Sequence, residues 1–276
     1  MLKTRIKTGA ILTVVVLLFL HFSYLPYVLN IFAALLGVIG TYELFRAANC
    51  TDKRLPMWSA LILVTVLPFV MPLVPGNRLI ISVFLMIALF LFFILVLRIE
   101  SLSFEGVWKP LATSLTVSVL YSSIPILRDE KCGFYYVCLV VLTSVITEVA
   151  AYFIGKSIGK HKIAPKVSPG KTVEGCLGGI VVTCILVLIL SIAVGRRNGI
   201  EIQYGPFICY IILASMIGQI GDLSMSLIKR SAGIKDFGNL MPGHGGVLDR
   251  FDSQLFIAPF TLMYSLLSPF LGQLIV

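Results

Sequence analysis

Long apolar runs separated by short charged segments are the dominant pattern along the 276-residue chain. Nine such runs lie near residues 9–25, 28–48, 57–74, 79–97, 110–127, 133–155, 173–194, 205–228 and 252–274. A helix needs roughly 20 mainly apolar residues to cross the hydrocarbon of a bilayer. The pattern therefore predicts an all-α polytopic membrane protein of about nine transmembrane helices. The first run is long, follows Lys3, Arg5 and Lys7, and has no small-residue cleavage site after it. It is expected to be a retained helix rather than a signal peptide. Pro56, Pro75-Gly76 and Pro110 read as ordinary breakers between runs.

Composition agrees with a membrane class and excludes a soluble one. The chain is 58% hydrophobic and 13% charged, with mean hydropathy +1.00, whereas a soluble domain carries about a quarter charged residues. Charge then gives the orientation, because cytoplasmic loops hold the Lys/Arg excess. With the N-terminus cytoplasmic, only Arg78, Arg128, Lys131, Arg196 and Arg197 fall outside, which leaves 17 of the 22 basic residues inside. The expected place is the inner (cytoplasmic) membrane, multi-pass. The net charge of +9 follows from that asymmetry and from attraction to the anionic lipid bilayer. No nucleic acid partner is implied, since the basic residues sit in short loops. The six cysteines are scattered, form no CxxC pair, and read as small core residues.

Polar chemistry is unevenly distributed. Residues 1–130 offer spans for packing and oligomer contact, with Glu43 as the one acid inside a span. Near a cytoplasmic end, Glu43 serves a structural or a functional reading equally well. Residues 131–276 carry the informative positions, on expected cytoplasmic loops 156–172 and 229–251 and the helix ends beside them. Four of the six aspartates, Asp222, Asp236, Asp249 and Asp252, lie between 222 and 252. Asp222, Ser226 and Lys229 are spaced to share one helix face, and Asp249 and Asp252 sit where the last helix begins. Mg²⁺ is usually held by one or two carboxylates together with phosphates and water. Asp222 and Asp249 fit that clamp, and the Pro242-Gly243-His244-Gly245-Gly246 run would bring backbone amides close to a phosphate. Ser168-Pro169-Gly170-Lys171-Thr172 opens a helix where an anion is welcome, but Pro165 excludes a Walker A loop. Gly175 and Gly179 read as helix packing.

Simpler readings exist for each residue. Asp222 would be an ion-pair partner of Lys229, His244 a loop histidine, Asp249 and Asp252 helix-start acids. Singly each is adequate; none explains why a chain so poor in charge gathers its charges in one loop.

The run Ser226-x-x-Lys229-Arg230, Lys235-Asp236-x-Gly238, Pro242-Gly243-His244-Gly245-Gly246-x-x-Asp249-Arg250-x-Asp252 resembles the signature of the phosphatidate cytidylyltransferases (CDP-diacylglycerol synthases). Ser168-Pro169-Gly170-Lys171-Thr172-x-Glu174-Gly175 is similar to a second segment of that family. The resemblance implies a nucleotidyltransferase of phospholipid biosynthesis that converts CTP and phosphatidate to CDP-diacylglycerol and pyrophosphate at the cytoplasmic membrane face. It implies Mg²⁺ at Asp222 and Asp249, K⁺ as a second cation, and a homodimer. Catalytic roles fall on Asp222, Lys229, His244, Asp249 and Asp252. Substrate contacts fall on Glu148, Ser168, Lys171, Ser226, Arg230, Lys235, Asp236, Gly245, Gly246 and Arg250. Two positions depart from the family pattern, Glu148 in place of aspartate and Met225 in place of glutamate. The competing readings are a related lipid nucleotidyltransferase or kinase with another lipid substrate, and an ion-coupled transporter built on Glu148 and Asp222. Charge at one face and the absence of a repeat weigh against the transporter.

Overall fold

The computed structural model describes residues 2–49, 51, 54–73, 108–198, 201–243 and 245–271. Its helices are α1 (Leu2–His21), α2 (Val28–Ala47), α3 (Arg54–Val70), α4 (Trp108–Tyr121), α5 (Ser123–Arg128), α6 (Gly133–Ile158), α7 (Val173–Asn198), α8 (Tyr204–Ser231) and α9 (Leu248–Leu271). The run expected at 79–97 lies outside the described residues. Among the described residues, five stretches are long and apolar enough to cross a membrane: Lys7–Tyr24, Val28–Ala47, Gly133–Ile158, Val173–Arg197 and Tyr204–Ser231.

Among the described residues a short hairpin departs from an all-helical reading. Lys162–Ala164 (β1) and Ser168–Thr172 (β2) pair antiparallel, with Lys162 opposite Thr172 and Ala164 opposite Ser168. Loop 156–172 is thus a hairpin, and Thr172 Oγ1 accepts from the Gly175 amide at 3.1 Å to cap α7. The span expected at 110–127 is broken at Ser122. Pro125 has no amide to continue the ladder, while the Ser122 and Ser123 hydroxyls bond the carbonyls of Ser118 and Leu120 at 2.8 and 2.6 Å.

Helix α9 is the hub and packs against α8, α6, α5, α4 and α2; its first three turns are almost wholly buried. The outward faces of α1, α3, α6 and α7 are apolar, as at Ile11, Ile62, Val149, Leu177 and Ile189. Inside, by contrast, hydroxyls bridge helices. Thr147 bonds Thr183 at 2.9 Å and Ser215 at 3.2 Å, and Tyr210 bonds Thr261 at 2.9 Å. A protein packed in lipid gains little from apolar burial between helices and depends on close approach and such hydrogen bonds. Gly175 and Gly179 perform the packing role expected of them, with α6 against their bare faces.

Helix ends gather into two groups. The start of α1 meets the loop before α9 through Thr8 Oγ1 and the Pro242 carbonyl, 3.2 Å apart. At the opposite end, Asn30 bonds the Pro68 carbonyl at 2.7 Å and Tyr264 bonds the Pro206 carbonyl at 2.9 Å.

A Cβ placed on Gly175 would lie 2.7 Å from the Ala151 carbonyl oxygen. Gly175→Ala is expected to cost about 1–3 kcal/mol by forcing α6 and α7 apart, seen as a lower thermal midpoint in detergent; an unchanged midpoint would contradict the packing described.

Candidate active site

A cavity of about 640 Å³ opens between α6, the hairpin, α7, α8 and α9. Along α6 its wall runs from Ser144 to Lys156, about 18 Å at 1.5 Å per residue. The end near the hairpin carries Lys156, Lys162, Ser168 and Lys171; the deeper end carries Ser144, Thr147, Gly218 and Ile257. Cationic at one end and hydroxyl-lined or apolar at the other, it suits an amphiphilic occupant or a pair of substrates.

Two acids face this space, Glu148 from α6 and Asp222 from α8. Lys171 Nζ is 2.5 Å from Asp222 Oδ2, with both side chains about a quarter exposed or less. The partner of Asp222 is therefore Lys171 of the hairpin, not Lys229 two helical turns along. Ser226 Oγ is 3.5 Å from Asp222 Oδ1. Asp252 on α9 interacts electrostatically with Asp222, Glu148 and Lys229, and Glu148 with Arg250, Lys171 and Lys229. Glu148, Asp222 and Asp252 thus form one acidic group interleaved with three or more cations.

A second cluster lies behind the cavity. Lys229 Nζ donates to Asp249 Oδ1 at 2.7 Å and sits 5.6 Å from the Phe237 ring. Asp249 Oδ2 accepts the Phe237 amide at 2.8 Å and the Gly246 amide at 2.9 Å. Asp249 is buried, and neither it nor Lys229 lines the cavity.

The phosphate-binding expectation concerned the glycine run itself, 242–246; the amides that follow it, at Val247 and Leu248, have an acceptor within the chain. Glu43, 4% exposed, accepts the Val247 and Leu248 amides on its two oxygens, each at 2.9 Å. These are the amide just before α9 and the first amide within it, which need an acceptor, and a negative charge there interacts favourably with the helix dipole. Gly238 and Gly246 are necessary for this approach. A Cβ on Gly238 would come within 2.6 Å of Glu43 Oε1, and one on Gly246 would overlap the carboxylate. Gly245 takes φ +86, a conformation that favours glycine.

The hairpin is anchored by Glu174, to which no role was assigned from sequence, and by Arg230, which was expected to contact substrate. Glu174, in the first turn of α7, accepts the Lys160 and His161 amides at 3.0 and 3.2 Å and pairs with His161 Nδ1 at 2.5 Å. Arg230 does not point at the cavity; it bonds the Val167 carbonyl at 3.1 Å and the Ile234 carbonyl at 3.2 Å, tying hairpin to loop. Lys235 and Asp236 are exposed outside the cavity wall. His244 lies outside the described residues. Met225 is fully buried in the core.

The match with known proteins fits this arrangement. A model of the cytidylyltransferase family aligns with residues 3–268. The chain belongs to the cytidylyltransferase family. Across 280 residues, 98% of this chain and 98% of the relative, it is 33% identical to the phosphatidate cytidylyltransferase of Bacillus subtilis (strain 168). Over 127 residues, 46% of this chain, it is 42% identical to that of Staphylococcus saprophyticus and 41% identical to that of Staphylococcus epidermidis. The family match spans both the cavity and the Glu43 contact, which joins the N-terminal helices to the C-terminal loops.

Removing the Glu174 carboxylate is expected to free the hairpin. In Glu174→Ala, hydrogen exchange should rise at the amides of Lys160 and His161 and across β2, with the middle of α7 unchanged; equal protection in both proteins would contradict the anchoring.

Proposed function

We propose that this chain is a phosphatidate cytidylyltransferase, forming CDP-diacylglycerol and pyrophosphate from CTP and phosphatidate in phospholipid biosynthesis. The observation that carries the reading is the Lys171–Asp222 pair in the wall of a cavity cationic at one end only, in a chain of this family. An anion entering there can take Lys171 and leave Asp222 open to a cation.

In the proposed reaction a phosphatidate phosphate oxygen attacks the α-phosphorus of CTP, a new P–O bond forms, and the bond to the bridging oxygen breaks as pyrophosphate leaves. Phosphoryl and nucleotidyl transfers of this kind rest on positioning and charge stabilisation. Lys171, with Lys156 and Lys162, meets the triphosphate charge, and Ser168 donates beside it. The lipid phosphate approaches along α6, where Ser144 and Thr147 give way to Ile257. Lys229, held by Asp249 and within electrostatic reach of Glu148 and Asp252, keeps positive potential behind the acids. His244, Lys235, Asp236 and Arg250 stay in the proposal as contributors from the loop before α9 and from its first turn; Ser226 orients Asp222.

Among the described residues no three His, Cys, Asp or Glu side chains form a ready metal cage. Mg²⁺ commonly takes few protein carboxylates and completes its shell with phosphate and water. Asp222 fits as a ligand because its carboxylate lines the cavity. Asp249, the other expected ligand, would have to exchange its contact with Lys229 or an amide. Bound there, Mg²⁺ supplies Lewis-acid neutralisation of phosphate charge. K⁺ as a second cation would find its counter-charge in the same acidic group.

The assembly proposed is an inner-membrane homodimer with its N-terminus and both loops at the cytoplasmic face. The Thr8–Pro242 and Arg230–Val167 contacts support a common face for these segments.

Purified protein in detergent with CTP, phosphatidate and MgCl₂ is expected to yield CDP-diacylglycerol by mass spectrometry, and chelation to abolish it. Asp222→Asn should lower kcat/KM by about 100-fold or more, about 2.7 kcal/mol of transition-state stabilisation. No product from wild type, or undiminished turnover in the variant, would sink the reading.

A further inference from the structure

We propose that Glu43 is a positioning residue for this reaction: by holding the amides of Val247 and Leu248 it sets the turn from Gly245 to Asp249, and with it the Lys229–Asp249 pair. The inference rests on the cytidylyl-transfer reading above.

Glu43 touches no substrate space, since no residue of α2 lines the cavity. Its reach is long in sequence and short in space: the amides it accepts, at 2.9 Å each, lie 204 and 205 residues away. The same turn is held a second time, by Asp249 Oδ2 on the amides of Phe237 and Gly246. Two carboxylates therefore saturate the three consecutive amides of Gly246, Val247 and Leu248 and tie Phe237 to them, and the other oxygen of the second, Asp249 Oδ1, is what fixes Lys229. Shifting the turn shifts that ion pair. The fit is tight from the other side as well, because Gly238 and Gly246 press their bare α-carbons onto Glu43. An amide cannot replace the carboxylate. Glutamine offers one acceptor oxygen and turns an NH₂ donor toward a backbone N–H.

A cap that served stability alone would change the amount of folded protein and leave turnover per folded molecule intact. Positioning predicts a fall in kcat with little change in KM, and it predicts a rescue by size. Gly246→Ala pushes a methyl into Glu43, and Glu43→Asp withdraws the carboxylate by one methylene. Each single substitution displaces the turn, and together they restore the space.

The test uses the full chain in detergent, with CTP, phosphatidate and MgCl₂, and rates normalised to folded protein. Glu43→Gln and Gly246→Ala are expected to lower kcat roughly 10- to 100-fold, with KM for CTP within about threefold. Glu43→Asp/Gly246→Ala is expected to exceed Gly246→Ala by about fivefold or more. Hydrogen exchange at Val247 and Leu248 should rise in Glu43→Gln. A kcat within about twofold of wild type for Glu43→Gln, or a double variant no better than the single ones, overturns the proposal while wild-type activity stands. An inactive wild type overturns the cytidylyl-transfer reading instead, and unchanged exchange in Glu43→Gln would then show separately that Glu43 does not hold the turn.

Discussion

An ionised carboxylate beside an apolar bundle is tolerated only where a cation or a set of amides meets it, and this molecule meets three of its acids with groups from distant parts of the chain. Asp222 of α8 takes Lys171 from the hairpin, Asp249 of α9 takes Lys229 from α8, and Glu43 of α2 takes the amides that open α9. Compensation of charge is thus also the device that brings four elements, α2, the hairpin, α8 and α9, to one place. The first two pairs keep their cations close to the cavity at its polar end, and the third fixes the turn on which Asp249 stands.

The rest of the fold serves that gathering. Bare glycines let α6 and α7 approach closely, so the hairpin between them is short and lies over the cavity mouth, with Thr172 wedged against Gly155, Gly159 and Gly175. Hydroxyls of Thr147, Thr183 and Ser215 join α6, α7 and α8 just below. Rigid walls with a cationic rim are what a reaction driven by positioning and electrostatics requires. Glu148, longer by a methylene than the family's aspartate, still brings its carboxylate to the cavity wall, and Met225 occupies core volume where the family pattern has an acid.

Much of this was legible in the sequence because it is written in contrast. Apolar runs against charged loops locate helices within a few residues, and of the aspartates between 222 and 252 Asp222 falls on the cavity wall. What stayed hidden is who pairs with whom. Helix-face spacing joined Asp222 to Lys229, yet Lys171 lies closer in space than any spacing along one helix reveals. The amides just past the glycine run are held by Glu43, whose only signal was being the lone acid of an apolar span. The hairpin had no signal of its own, since Ser-Pro-Gly is a poor strand sequence that is held by Glu174 and Arg230. Pro125 broke a run that hydropathy alone joins.

The central claim is that the phosphorus attacked is the α-phosphorus of CTP. It is tested most directly by following label from [α-³²P]CTP and [γ-³²P]CTP into the lipid phase with purified protein, phosphatidate and MgCl₂. α-Label is expected to enter the lipid, with γ-label only in released pyrophosphate. Lipid that carries γ-label, the mark of a kinase, or no label from either nucleotide, would contradict it.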